Sequence, residues 1–290
     1  MRVGDRTFYL RFLAGLAAAD ERTARGLDGL TDGKQVRRAS DDPSGHHTSL
    51  ALRARLTRIA GFDRSANAAR TDLATIDNAL GAVIGLLTEA RTEALAGASG
   101  PYDTSNDARA EVVEQLRNQL LSLANTEQGG RYLFGGTETA GTPFDPAGSY
   151  AGNDDEVLAP LDTQQLVGST LSGRRVFLDG GDLFGALDDI TQALRDNRTG
   201  DVANLIPTLT VALDHVSEVR ADVGARMQGI DASVDRHSDE TLTLARRIGE
   251  IENVDLAELV VRLQEAESAS SALSAAAARI LGRSLFDFLG

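Results

Sequence analysis

Residues 52–87 read LRARLTRIAGFDRSANAARTDLATIDNALGAVIGLL. Leu52, Ile59, Ala66, Leu73, Leu80 and Leu87 recur every seven positions in this stretch. A second register follows three residues on, with Phe62, Ala69, Ile76, Val83 and Ala90. Two interleaved seven-residue repeats make an a/d seam, the pattern of a long helix lying against another helix. The pattern predicts one helix over 45–97, roughly 80 Å long at about 1.5 Å per residue. Such a helix has no core of its own. Each large seam residue contributes about 1.5–3 kcal/mol only where a partner covers it.

A partner is legible near the other end of the chain. Leu209, Val216, Val223, Ile230, His237, Leu244 and Ile251 again recur every seven residues, and Leu213, Met227, Val234 and Ile248 supply the second register. Arg220 and Thr241 interrupt it, with Arg220 able to carry its charge out along the seam. A shorter amphipathic helix is expected over 106–125, carrying Val112, Leu116, Leu120 and Leu123, with Ser105 as N-cap. Weaker helices are expected over 8–30 and 255–281. The first places Leu13, Leu16, Leu27 and Leu30 on one stripe, broken by Asp20 and Thr23. The second carries Leu256, Leu259, Leu263 and Leu273, opened by Asp255 and Glu258 in a near capping box. Small residues dominate its end, so both terminal helices are expected to gain order mainly by packing on something else.

The middle differs. Residues 132–184 hold six of the thirteen aromatics and half of the six prolines. RRVFLDGGDLFG and QQLVGSTL read as short strands between glycine turns. The fold class expected is therefore mainly α. A long antiparallel helical bundle or coiled coil is built from the N- and C-terminal arms, with a small β-rich domain inserted between them.

The formal net charge is −14, which disfavours nucleic acid and an anionic bilayer alike. With no cysteine there is no disulfide framework and no thiolate site. No unbroken apolar run approaches the ~18 residues of a membrane span. The N-terminus imitates a signal peptide at Ala17–Ala19, but Arg11 falls inside the would-be apolar core and no cleaved signal is expected. Catalytic patterns are poor. His46 and His47 are adjacent, His215 and His237 lack a second ligand at readable spacing, and GGTETAGT at 135–142 has no phosphate-loop lysine. No cofactor or metal is expected, nor an enzymatic activity.

Two loops carry mechanical meaning. In SDDPSG, 40–45, Pro43 fixes φ and makes Asp42 the N-cap of the long helix, with Asp41 and Asp42 at the positive end of its dipole. In GGRYLFGG, 129–136, Gly129 and Gly130 are expected to end the 106–125 helix in a left-handed conformation. Tyr132 and Phe134 then share one face of an extended stretch, and Gly135–Gly136 turn the chain away. The two aromatics are expected to pin this crossover onto the bundle.

Three stretches in order carry a resemblance. LTDGKQVRRASDDPSG, 30–45, and IENVDLAELVVRLQEAE, 251–267, look like the segments flanking the terminal helices of the flagellin superfamily. LANTEQGGRYLFGGTETAGTPF, 123–144, and the ending ARILGRSLFDFLG resemble the flagellar hook-associated protein 3 family within it. The resemblance implies a structural, non-enzymatic subunit of the bacterial flagellum, exported unfolded and placed extracellularly at the hook–filament junction. Its implied partners are hook-associated protein 1, flagellin, further copies of itself and an export chaperone.

It implies terminal helices at 1–39 and 256–290, a bundle at 40–140 and 187–255, and an outer domain at 141–186. The motif residues it marks for assembly are Ser40, Asp41, Asp42, Pro43 and Gly45. Gly130, Tyr132, Leu133, Phe134 and Gly136 follow in the second motif. Ile251, Asn253, Asp255 and Leu256 come next, with Leu285, Phe286 and Leu289 at the end. A flagellin filament subunit and a cytosolic coiled-coil scaffold are the alternatives; long homopolymers would mark the first, dispensable termini the second.

Overall fold

The heptad stretch forms one helix in the computed structural model, which describes residues 2–99 and 105–289, with side chains described over 10–99 and 105–276. In chain order the elements are α1 (Arg2–Asp32), α2 (Pro43–Ala98), α3 (Ser105–Ala124), β1 (Glu127–Gln128) and β2 (Arg131–Tyr132). Then come β3 (Leu158–Pro160), β4 (Leu166–Gly168), α4 (Gly173–Phe177), α5 (Leu183–Arg195), α6 (Thr199–Glu252) and α7 (Leu256–Leu289). The chain divides into two compact units, 1–57 with 241–290, and 58–240.

In the second unit the seam of α2 is buried where the repeat places it. Ile59, Ala66, Ala69, Leu73, Ile76, Leu80, Val83, Leu87 and Ala90 are all buried. Leu209, Val216, Val223 and Ile230 of α6 share one core with the seam residues of α2 from Ala66 onward. The two helices run antiparallel. Arg70 Nε lies 2.8 Å from Asp231 Oδ1, and Arg220 Nε donates to Asp77 Oδ1 at 2.8 Å while its Nη2 donates to Oδ2 at 3.1 Å. Arg220, the interruption in the second register, therefore leaves the seam to grip a carboxylate, and that bond holds Asp77 below the usual carboxylate range. His237 stays in the seam, buried, with Nδ1 2.7 Å from Asp63 Oδ1 and its ring stacked on Phe62. One window of α2 reaches mean hydropathy 1.3, apolar enough by length and composition to cross a bilayer. Leu73, Ile76, Leu80, Val83 and Leu87 of α2 are fully buried in this core, and Ile84 and Leu86 are partly covered by it, as in a core helix of a folded unit.

Two local expectations are corrected. Gly129 and Gly130, with φ of 59° and 80°, do not cap α3; they form the two-residue turn joining β1 to β2. Positive φ at both central residues matches the right-handed twist of a tight hairpin. The helix instead stops at Ala124. The Asn125 side chain bonds the backbone of Phe144 in both directions at 2.9 Å, and Thr126 Oγ1 donates to the Leu123 carbonyl.

The second correction concerns RRVFLDGGDLFG, which is helical rather than extended. α4 covers its first half, and α5 starts at Leu183 behind Asp182, whose side chain accepts from Gly185 N at 3.0 Å. Adjacent apolar residues in a short run fit either element, and the N-cap aspartate decides for the helix. Strand in the middle is confined to the short hairpins, of which β3–β4 pairs Leu158 with Gly168 and Pro160 with Leu166.

Candidate functional site

The first unit gathers two of the three motif stretches. Pro43 opens α2 as the proline demands, and Asp42 caps it, its side chain accepting from Ser44 N at 3.0 Å. Asp41 does not join the helix end. It turns back to accept from Arg37 N and Arg38 N, at 3.1 and 2.9 Å. Those amides hold its carboxyl below the usual range, Arg38 foremost. Replacing Asp42 with Ala is expected to cost about 1 kcal/mol, read as faster hydrogen exchange in the first turn of α2.

The second strand of the joint crosses the first. Val254 N donates to the Gly33 carbonyl at 2.9 Å and Gln35 N to the Glu252 carbonyl at 2.7 Å, around a bridge between Lys34 and Asn253. Ile251 approaches Gly45, where a Cβ would lie 3.2 Å from its Cγ2 and 2.2 Å from Asp42 Oδ2. Asp255 caps α7, accepting from Ala257 N and Glu258 N at 2.9 and 3.3 Å. Glu258 pairs with Arg262 along the helix, so only the aspartate half of the expected box is made.

Glu252, which sequence reasoning passed over, is the electrostatic centre of this joint. It is buried and takes Arg53 Nε and Nη2 at 3.0 and 2.7 Å, Lys34 Nζ at 3.1 Å and the Ser49 hydroxyl. The fork of Arg53 first, then Ser49, lowers its pKa to about 2. The signal present in the sequence was the chain's single lysine, Lys34, placed inside a motif.

α1 differs from expectation in the face it buries, whereas Leu259 and Leu263 of the α7 stripe pack as expected. α1 and α7 pack antiparallel, but the face of α1 against α7 is small: Gly26 and Gly29, with open Cβ positions 3.1 Å from Leu263 and Leu259. Ala19 and Ala266 are buried in the same pair. The stripe read as a packing face points elsewhere. Leu13, Leu27 and Leu30 are 41, 51 and 40% exposed, and Leu256, Val260 and Val261 of α7 are exposed too. Glycines let two helices approach closely, which leaves the leucines outside. Beside this pair runs a groove of about 910 Å³ lined by α1, the 34–42 loop including Ser40, and α7. Leu285, Phe286 and Leu289 lie outside the residues whose side chains are described.

The remaining motif sits in the second unit. Leu133 and Phe134 are both fully buried, while Tyr132 is half-buried at the edge of the β1–β2 hairpin. Past Tyr132 the chain is covered on both sides. Leu171 N donates to the Leu133 carbonyl at 2.9 Å, Gly173 N to the Phe134 carbonyl at 2.7 Å, and Gly136 N to the Leu171 carbonyl at 3.2 Å. The Phe134 ring meets Phe177 edge-on at 5.4 Å, inside a cluster with Phe144 and Phe184. Gly136 has φ of 70° and an open Cβ position 2.3 Å from the Asn153 carbonyl oxygen, so no larger residue fits there. Among the described residues no group of three or more His, Asp or Glu side chains is placed to hold a metal.

Comparisons with known proteins agree with this anatomy. Residues 9–139 match the bacterial flagellin N-terminal helical region. Flagellar hook-associated protein 3 of Escherichia coli (strain K12) is 25% identical over 285 residues, spanning 88% of this chain and 89% of that protein. FlgL of Bacillus cereus superposes with a TM-score of 0.62 at 21% identity, over 69% of this chain and 99% of that one. The flagellar junction protein FlgL of Legionella pneumophila gives 0.61 at 15% identity, over 71% and 100%.

Proposed function

We propose that this chain, a relative of flagellar hook-associated protein 3 that carries a flagellin-type N-terminal helical region, is the structural subunit joining hook to filament in a bacterial flagellum. The observation that carries the reading is the α1–α7 pair. In its internal seam the glycines and alanine of α1 face Leu259 and Leu263 of α7, while Leu13, Leu27 and Leu30 of α1 and Leu256, Val260 and Val261 of α7 are exposed. Exposed large apolar side chains gathered on two packed helices mark a surface meant to be covered. We assign the cover to neighbouring axial subunits, both copies of this chain and adjoining flagellar proteins. Heterologous contacts of this kind build helical layers rather than closed dimers.

The same reading makes the protein non-catalytic and gives it hook-associated protein 1, flagellin and an export chaperone as partners. It takes 1–39 and 256–290 as the inner layer, 40–140 and 187–255 as the bundle, and 141–186 as the outermost part. It also places the protein outside the cell, exported without a cleaved signal. Asp42, Pro43, Gly45, Ile251, Asn253 and Asp255 then shape the joint from which the terminal helices leave, while Leu256 belongs to the covered face.

Deletion of the gene tests the proposal. Cells lacking the protein are expected to keep hooks and shed unattached flagellin into the medium. Filaments that remain attached would overturn it. The match to the flagellin helical region keeps a filament subunit as the second reading. Long homopolymers of the purified chain in electron micrographs would select it.

A further inference from the structure

The charges of this chain are not shared evenly between its two units. The unit formed by 1–57 and 241–290 has 15 basic and 14 acidic residues, a net +1, while 58–240 has 14 basic and 29 acidic residues, a net −15 within the chain's −14. Ion pairs in the first unit join Glu21 with Arg25, Asp28 and Asp32 with Arg37, Glu252 with Arg53 and Lys34, and Glu258 with Arg262, while Glu250, Glu265 and Glu267 are exposed and outside any ion pair among the described residues. In the second unit Glu89, Glu111, Asp189, Asp214, Glu218 and Asp235 are exposed and appear in no ion pair among the described residues. They are spread over α2, α3, α5 and α6.

We infer that the acidic second unit limits how far copies of this chain associate through the exposed apolar face of α1 and α7. The inference rests on the reading that a second copy covers that face. The charge pattern supports this occupant. The first unit carries both signs in near balance, and Arg22, Arg25 and Arg262 line its groove together with Asp41, Glu258 and Glu265. A second copy therefore meets it without net repulsion. The two units are one chain, so copies gathered through the first also concentrate the second. Like charges on neighbouring second units then repel wherever they lie within a Debye length. The limit is soft: it weakens under screening and is absent towards a partner whose facing surface is not acidic. A subunit that must form a thin layer and then accept a different protein needs such a bias.

Sedimentation velocity of the full chain at about 10 mM and about 1 M sodium chloride tests this, since screening shortens from ~30 to ~3 Å across that range. The unaltered chain is expected to be monomeric at low salt and to rise at least about two-fold in mean mass at high salt. A variant with Glu89→Gln, Glu111→Gln, Asp189→Asn, Asp214→Asn, Glu218→Gln and Asp235→Asn is expected to reach the associated state already at low salt. A Leu27→Gln, Leu30→Gln variant is expected to stay monomeric at both, with an unchanged helical circular dichroism spectrum. If the neutralised variant matches the unaltered chain at low salt, the limiter is overturned while the apolar face stands. If the leucine variant associates like the unaltered chain, the α1–α7 face of the proposed function falls instead.

Discussion

Phe134→Ala is expected to destabilise the second unit by about 3–5 kcal/mol, the range for emptying an aromatic site in a core. Three features argue for the upper part of that range. The ring is fully buried, and it meets Phe177 edge-on inside a cluster that also holds Phe144 and Phe184. The site resists collapse, because its own backbone is fixed on both sides. Gly173 N donates to the Phe134 carbonyl, and the Tyr150 hydroxyl lies 3.1 Å from the same oxygen. A cavity that cannot close keeps its full cost. Tyr132→Ala, at the hairpin edge, is expected to cost less than about 1 kcal/mol. Urea unfolding followed by circular dichroism, with hydrogen exchange localised to α4 and α5, separates the two. If Phe134→Ala left those amides protected as before, the ring would not be the anchor described. A role at an interface would then have to explain its place in the motif.

Glu252→Gln is expected to loosen the joint of the first unit by roughly 2–3 kcal/mol, because Arg53 and Lys34 lose a charged acceptor. The estimate sits below that for a fully buried pair, since both cations are about half exposed and water repays part of the loss. The pH dependence carries a sign. Glu252 titrates near 2 in the folded chain against an ordinary value of 4.5, so folding favours its ionised form. Its contribution is therefore complete above pH 4.5 and is lost as pH falls from there towards 2. Other carboxylates titrate in the same window, so the informative quantity is the difference between the unaltered chain and Glu252→Gln. That difference in melting temperature is expected to be large at neutral pH and to shrink across the window. A difference independent of pH would mean that shape, not charge, holds the joint.

Much of the fold was legible because long helices write their packing into the period of the chain. The registers of α2 and α6 needed only positions, and the buried residues fall on them from Ile59 to Ala90 and from Leu209 to Ile230. Asp42 and Asp255 were legible as caps for a local reason: each bonds amides two or three residues ahead. The first terminal helix misled. Leu13, Leu27 and Leu30 form an apolar stripe, but the neighbouring glycines allow α7 to come closer on another face. Hydrophobicity alone ranks leucine over glycine, and closest approach reverses that order. Glu252 was illegible because its three partners come from α2 and the α1–α2 loop, about two hundred residues away in sequence.

The GGRYLFGG stretch divides the two kinds of knowledge. The sequence by itself determined that this chain is helical at both ends, that its two long helices carry matching seams, and that a turn and a buried aromatic lie between them. Period, proline and glycine act within a few residues, so no distant contact is needed to read them. Tertiary structure alone decided which glycine pair serves a hairpin and which a close approach, and which of two neighbouring aromatics is core. It likewise decided that the leucines of α1 face outward. Each of these depends on what the rest of the chain brings alongside, and a local pattern holds no record of its distant neighbours.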